Sequence, residues 1–341
     1  MLVAGAGQAG LSAAYTLRRR GAGTGFVVLD ANAGPGGAWR HRWSSLTLGR
    51  THHVHDLPGL PLGDPDPAEP AAAVVARYYA EYERRFELPV HRPVKVQSVT
   101  SPAGPGGPLL VDTDHGQWLS RRLVNATGTW DRPHWPAYPG RERFLGRQLH
   151  THDFRSVEEF RGQHVVVVGG GTSAVQFLLE LEDVATTTWV TRRPPGFTER
   201  PFDEEWGRDV ERRVEDRVRR GLSPTSVVAA TGLPLTEAYR RGIESGVLVA
   251  SEMFTSLTEH GVRFADGHEV HADAILWATG FRASLDHLAP LRLREPGGGI
   301  TLRGTTVVRD PRIQLVGFGS AASTLGANRA GRVAALAALA A

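Results

Sequence analysis

The apolar positions of this chain fall into short unbroken runs that stop on glycine, alternating with longer stretches in which apolar residues recur at helical spacing. Leu2-Val3-Ala4 runs into Gly5-Ala6-Gly7-Gln8-Ala9-Gly10. Leu11, Ala14, Tyr15 and Leu17 then mark one face of a helix, and Phe26-Val27-Val28-Leu29-Asp30 reads as a buried strand ending on an acid. The same order returns later. His164-Val165-Val166-Val167-Val168 is an apolar strand, Gly169-Gly170-Gly171-Thr172-Ser173-Ala174 a turn, Ala174 to Leu181 a helix, and Thr187 to Thr191 the next strand. Strand, glycine turn, helix and strand make a βαβ unit, so the pattern predicts two of them.

Other segments fill in the organisation. Residues 71 to 87 read as an amphipathic helix, and Val94 to Val99, Leu109 to Asp112 and Gln117 to Leu119 as a strand meander. Two more strands end in the same tripeptide, Ala126-Thr127-Gly128 and Ala278-Thr279-Gly280, where a chain would cross between domains. For each alone, an ordinary strand-end turn is the alternative. Pro133, Pro136 and Pro139 punctuate a linker. A charged, helical stretch from 203 to 245 breaks the alternation and reads as an insertion. Ile313 to Gly319 is a last strand and Ala327 to Ala341 a last helix. The expected fold class is α/β, with two Rossmann-like dinucleotide-binding domains, the second inserted in the first.

Composition narrows the chemistry. The chain has 341 residues, 41% hydrophobic and 22% charged, a globular profile with room for two domains. It has no cysteine, which excludes disulfides, thiolate metal sites and thiol nucleophiles. Net charge is +3, and Lys95 is the only lysine. The arginine runs, Arg18-Arg19-Arg20 and Arg212-Arg213, follow helical stretches or mix with acids, as solvated helix faces do, so no nucleic-acid partner is expected. The N-terminal apolar stretch carries its arginines after it, the reverse of a signal peptide, and the C-terminal run is too short to span a bilayer. A cytoplasmic protein without a membrane partner is expected. His52, His53 and His55 lie close together without a carboxylate pattern, so no metal site is expected.

With 40 glycines in the chain, a GxGxxG pattern alone means little. Its setting gives it weight. The first match follows a strand, opens a helix, and has Asp30 about 20 residues on, where a carboxylate reaches an adenosine ribose. Glycines let the backbone approach a pyrophosphate, whose charge faces the helix N-terminus. The second match ends in Ala174, and its following strand ends in Arg192-Arg193. A guanidinium there suits a 2′-phosphate and favours NADPH over NADH, unless one arginine simply caps the strand in solvent. Two sites imply two cofactors: a nicotinamide that gives up a hydride and a flavin that accepts it.

Phe144-Leu145-Gly146-Arg147-Gln148-Leu149-His150-Thr151-His152-Asp153-Phe154 resembles the flavin-containing monooxygenase fingerprint FxGxxxHxxx(Y/F), with Phe144, Gly146, His150 and Phe154 at the motif positions. Gly36-Gly37-Ala38-Trp39 resembles the GGxW turn beside the flavin, and Gly326-Ala327-Asn328-Arg329-Ala330-Gly331-Arg332 the C-terminal flavin helix of small bacterial members. Over nearly its full length the chain resembles the class B flavin monooxygenases. That resemblance implies an FAD domain over 1–155 and 283–341 and an NADPH domain over 156–282, with a helical insertion at 202–246 as a lid. It implies FAD contacts at Gly5, Ala6, Gly7, Gln8, Ala9, Gly10, Asp30, Gly37, Ala38, Trp39, Val94, Thr127, Gly128, Gly319 and Leu325. It implies NADPH contacts at Gly169, Gly171, Thr172, Ser173, Ala174, Arg192, Arg193, Ala278, Thr279 and Gly280.

The implied reaction passes one oxygen of O2, by way of a C4a-(hydro)peroxyflavin, to a small organic substrate. Phe154 leans toward N- or S-oxygenation over the Baeyer–Villiger reaction. The Asn that typical members carry near the flavin is missing here. Arg50 stands in that region, as an arginine does in the Baeyer–Villiger enzymes, and is the one candidate catalytic residue. For His150 the alternative role is packing. Trp39, Trp43, Trp130 and Trp135 are candidate pocket walls. The resemblance leaves a homodimer open. A disulfide reductase of this architecture needs a cysteine pair that the chain lacks. A ferredoxin reductase would not need the fingerprint, and a nucleotide sensor would lack turnover.

Overall fold

The computed structural model describes residues 1–21, 23, 25–51, 54–199, 216–223, 232–319 and 324–340, without the side chains of Thr324 and Leu325. The chain divides into two compact units. The first comprises Met1–Asp131, Arg208–Val227 and Ala283–Ala341, the second Arg132–Gly207 and Val228–Arg282.

The first unit is built on a seven-stranded sheet. Its order is Leu302–Arg303, Thr306–Val307, Ile313–Leu315, Leu123–Asn125, Leu2–Ala4, Val27–Leu29, Val90–His91. The last five strands are parallel, with Val3 opposite both Val28 and Val124. A parallel sheet is covered on both faces, which is why its central strands Leu2–Ala4 and Val27–Leu29 read as solid apolar runs instead of alternating ones. The helix Gln8–Arg19 packs against the last helix, Thr324–Ala340, at van der Waals distance. A Cβ on Gly331 would lie 2.3 Å from the Ala9 carbonyl oxygen, and Ser12 Oγ donates to the Asn328 carbonyl at 2.8 Å. The helix Ala71–Arg85 buries Tyr78, Tyr79 and Tyr82. It stops two residues short of the expected end, where Glu87 takes a left-handed φ of 47°. Two tyrosine hydroxyls reach a loop: Tyr82 donates to the Pro58 carbonyl at 2.7 Å and Tyr78 to that of Leu60 at 2.5 Å. Val96–Thr100, Leu109–Thr113 and Gly116–Ser120 form the anticipated antiparallel meander.

The second unit holds a five-stranded, all-parallel sheet. Its order is Ala250–Glu252, Thr186–Thr191, His164–Val168, Ala274–Trp277, Arg147–His150. The helix Thr172–Leu181 buries Val175, Phe177, Leu178 and Leu181. A small antiparallel sheet joins Ser256–Thr258, Gly261–Arg263 and Glu269–His271. Each unit is thus an α/β sheet whose central strands are parallel, with a strand, glycine turn and helix at its centre, and the second lies within the sequence of the first.

The unit boundaries differ from the sequence-based ones at two places. The first crossing falls after Asp131 instead of 155, because Arg147–His150 is a sheet strand of the second unit. A polar, arginine-led tetrapeptide gives no strand signal of its own. The insertion also divides. Residues 216–223 belong with the first unit, where the Gly299 amide donates to the Gly221 carbonyl at 3.1 Å and Leu222 bridges Gly298. Leu233–Pro234 pairs with Phe197–Thr198 in the second unit, followed by the helix Glu237–Glu244. The rest of 202–246 anticipated as a lid, 202–215 and 224–231, lies outside the described residues. No helix among the described residues is long and apolar enough to cross a membrane.

Candidate functional site

In the first unit, the glycine loop is shaped by what surrounds it. Gly5 has φ 99°, and a Cβ there would lie 2.4 Å from the Ala126 carbonyl oxygen. A Cβ on Gly10 would lie 1.9 Å from the Gly5 carbonyl oxygen. These two positions close the turn against the sheet. A Cβ on Gly7 would meet nothing within 4 Å. Its backbone is open to a ligand, and the helix that starts at Gln8 has no side-chain cap and no acid in its first turn. Uncapped N–H groups at a helix start accept an anion such as a pyrophosphate. Ala6 and Ala9 are buried beneath the loop. The Gly37 turn lies against it, because a Cβ on Gly37 would come within 2.8 Å of Gly7 Cα. Ala38 is exposed and Trp39 half-buried.

Asp30 is 4% exposed at the end of its strand. Its Oδ2 accepts from Arg92 Nε at 2.7 Å and its Oδ1 from Asn32 Nδ2 at 3.1 Å. The other two Arg92 nitrogens fork onto Glu83 at 2.6 Å each. The carboxylate is held in one orientation, and its backbone carbonyl takes the Val94 amide at 2.8 Å. Arg92 and Glu83 were not anticipated, since nothing local in sequence joins them to Asp30.

The Thr127-Gly128 turn rests on a buried relay. Thr127 Oγ1 donates to the Ser284 carbonyl at 2.6 Å and accepts from Asn125 Nδ2 at 3.0 Å. Asn125 Oδ1 in turn accepts from His287 Nε2 at 2.6 Å. Burial lowers the His287 pKa to about 4, so its imidazole is neutral and carries its proton on Nε2. Gly319, with φ 64°, borders a cavity of about 170 Å³ with Leu302, Thr305, Leu315 and Phe318. The Leu325 side chain lies outside the described residues.

Arg50 is exposed at the end of a one-turn helix, Leu48–Arg50. His52 and His53 lie outside the described residues; among those described, no group of three or more acidic or histidine side chains could hold a metal. Near the Gly37 turn, Arg42 sets its guanidinium 4.7 Å from the Trp130 ring centroid and 6.0 Å from that of Trp39. His41 stacks on Trp130 at 5.7 Å and pairs with Asn32 Oδ1 at 2.7 Å. Trp43 is buried.

In the second unit, a Cβ on Gly169 would lie 2.3 Å from the Ala278 carbonyl oxygen, so the Ala278-Thr279-Gly280 turn braces this loop as Ala126 braces the first. Trp189 Nε1 donates to the Gly169 carbonyl at 2.6 Å from beneath. Gly171 is again open, and the helix starting at Thr172 has no side-chain cap. Thr172 and Ser173 are half-buried and Ala174 buried. Arg192 and Arg193 are exposed at the end of the next strand, and the Arg193 carbonyl lies 3.9 Å from the Cβ position of Gly170. The paired arginines therefore lie beside the glycine loop.

The fingerprint residues are architectural. Phe144 is in the core, and a Cβ on Gly146 would clash with its ring and with the Asp273 carbonyl. Phe154 is 1% exposed between Phe160 and Phe177. His150 is fully buried beside Trp135 and Phe281. Its Nδ1 accepts the His152 amide at 3.1 Å and its Nε2 donates to the Gly280 carbonyl at 3.0 Å. Burial lowers its pKa to about 4. His134 joins the same turn: its amide donates to Gly280 at 2.9 Å, and its carbonyl accepts from Thr279 Oγ1. The motif thus ties Arg147–His150 to the turn that braces the second glycine loop.

The profile of the pyridine nucleotide-disulphide oxidoreductase family matches residues 2–300. The solved structure of a flavin-containing monooxygenase from Stenotrophomonas maltophilia is 36% identical, with a TM-score of 0.83 over 99% of this chain and 97% of that one. This chain belongs to the flavin monooxygenases. Among curated relatives, the indole-3-pyruvate monooxygenase YUCCA1 of Oryza sativa subsp. japonica is 28% identical over 91% of this chain and 82% of its own length. A CzcO-like oxidoreductase of Geobacillus kaustophilus is 27% identical over 91% and 88%. Flavin monooxygenases use FAD and NADPH. The glycine loops of this flavin monooxygenase, each with one open glycine and an uncapped helix behind it, fit two such dinucleotides. Its lack of cysteine leaves no thiol for the disulphide chemistry in the wider family's name.

Proposed function

We propose that this flavin monooxygenase uses NADPH and O2 to oxygenate a small organic substrate at nitrogen or sulfur. NADPH, a proton, O2 and substrate yield NADP⁺, water and the oxygenated product. The reading is carried by the pairing of two open glycine loops with different following strands, one ending in buried Asp30 and the other in exposed Arg192-Arg193. Bound FAD would supply the hydride acceptor and the site of O2 reduction.

The chain's residues bind and orient. The Gly7 backbone and the N–H groups from Gln8 onward receive the FAD pyrophosphate, and Asp30, fixed by Arg92, receives the ribose hydroxyls. Val94, the Gly37-Ala38-Trp39 turn, Thr127-Gly128, Gly319 and Leu325 complete the FAD contacts. Gly171, Thr172 and Ser173 receive the NADPH pyrophosphate, and Arg192 and Arg193 fork onto its 2′-phosphate. Thr279-Gly280 borders that cradle, held from below by His150. Arg50 has the exposure of a residue that meets substrate or cofactor and remains the candidate for the missing Asn. YUCCA1 acts on indole-3-pyruvate by name, an aromatic acid, which widens the expected substrates beyond simple amines and sulfides.

The test supplies methyl phenyl sulfide and cyclohexanone together with NADPH in air. Sulfoxide forming faster than lactone supports the assignment; lactone as the main product overturns the preference for heteroatoms. In the same assay the double variant Arg192→Ala/Arg193→Ala should raise KM for NADPH by roughly 10- to 100-fold and leave that for NADH unchanged. An unchanged KM for NADPH contradicts the 2′-phosphate assignment.

A further inference from the structure

No carboxylate of the described residues pairs with Arg42. It is partly buried, and among the described residues no acceptor takes a hydrogen bond from it. Its neighbours are aromatic: Trp130 at 4.7 Å, Trp39 at 6.0 Å, and His41, itself stacked on Trp130. Removing a guanidinium from water without an anion is costly, and a cation–π contact recovers only part of that cost. Burial lowers its pKa to about 10.

The geometry also indicates which kind of group this guanidinium suits. A guanidinium lying over a ring spends its face on that contact. Its five N–H donors lie in its own plane and stay available as a rigid fork. Such a fork matches a carboxylate bidentately. Beside it Trp39 is half-buried and His41 exposed, rings of a kind that suit a flat ligand, while Trp130, 7% exposed, backs the guanidinium. All of this stands one turn beyond Gly37, which touches the first glycine loop. The alternative, that Arg42 merely fills space beside two tryptophans, would be met equally by an uncharged side chain.

We propose that Arg42 is a specificity-determining residue that anchors the carboxylate of an aromatic acid substrate, with Trp39 and His41 as the aromatic side chains beside it. The proposal rests on the flavin monooxygenase reading, since it places an oxygenation substrate beside the flavin loop.

The experiment compares phenylacetate with its uncharged isostere phenylacetamide, using the full-length protein loaded with FAD. Binding is followed by tryptophan fluorescence, and FAD affinity is measured separately by titrating the apoprotein. The wild type should bind the acid at least about tenfold more tightly than the amide. Arg42→Gln should erase that preference with FAD affinity unchanged, and Arg42→Lys, which keeps charge but not the fork, should retain part of it. Equal binding of acid and amide by the wild type overturns the proposal without recourse to any variant. So does an Arg42→Gln protein that keeps the preference. A variant that loses FAD affinity along with acid affinity would assign Arg42 to the cofactor's diphosphate and also overturn it. If the wild type binds no FAD, the functional reading fails, while the acid-to-amide ratio still decides the role of Arg42.

Discussion

His150 and His287 are buried, neutral and fixed in tautomer by the groups they touch, Gly280 and His152 in one case and Asn125 in the other. Each has a pKa lowered by burial from 6.5 to about 4. The unfolded chain takes up a proton near pH 6.5 that the folded protein refuses until about pH 4. Stability is therefore unaffected by these groups above pH 6.5 and falls as pH drops below it, by up to about 3 kcal/mol for each histidine. Urea midpoints measured between pH 7.5 and 4.5 should decline over this window, and His287→Asn should flatten the decline. A midpoint that holds constant down to pH 4.5 contradicts the account. The two histidines also mark the limits of sequence reasoning at this scale. His150 is visible because it belongs to a motif, but the motif does not say that its ring holds a carbonyl. His287 lies 162 residues from Asn125 and belongs to no pattern, so only the fold joins them. Arg92 is hidden from Asp30 in the same way, whereas Asp30 is legible from its place at a strand end.

The glycine-rich turns and the helices behind them are the elements most legible from sequence, because their demands are local: an apolar run, a turn without Cβ atoms, a helical stripe. Strands that lack such signals are not. Arg147–His150 is polar and sits within the fingerprint, and Val90–His91 is two residues long, so each owes its strand character to its neighbours. Helix against helix is a third case. Gly331 belongs to the recognisable C-terminal segment, yet its function there is steric, since it lets Gln8–Arg19 and Thr324–Ala340 approach until a Cβ would strike the Ala9 carbonyl and the Ala13 amide. Gly331→Val should lower stability by about 2–3 kcal/mol or more, because the obstacles are backbone atoms that cannot rotate away. The adjacent exposed Arg332→Ala should change it by less than about 0.5 kcal/mol. Equal thermal midpoints for the two variants would show that the helices do not meet as described.

Across the whole molecule, the duplication of the βαβ pattern could be read from the apolar and glycine positions, whereas the division of the 202–246 segment between the units could not, because it depends on backbone bonds such as Gly299 to Gly221. The two open glycines allow the cofactor roles to be separated. Gly7 and Gly171 have φ values of −78° and −103°, and a Cβ at either meets empty space. Gly7→Ala should fold normally as apoprotein and lose FAD affinity by tenfold or more, on the order of 1.4 kcal/mol. Gly171→Ala should keep its FAD and lose NADPH affinity to a similar degree. Titrations of each variant with each nucleotide check this, and a variant that loses both or neither contradicts the assignment of one dinucleotide to each loop. The central claim concerns the fate of oxygen. With NADPH, methyl phenyl sulfide and ¹⁸O2, mass spectrometry of the sulfoxide should find one ¹⁸O atom, with NADPH consumed in proportion after correction for released hydrogen peroxide. NADPH oxidation in which all the labelled oxygen appears as hydrogen peroxide and none in product would contradict the monooxygenase account.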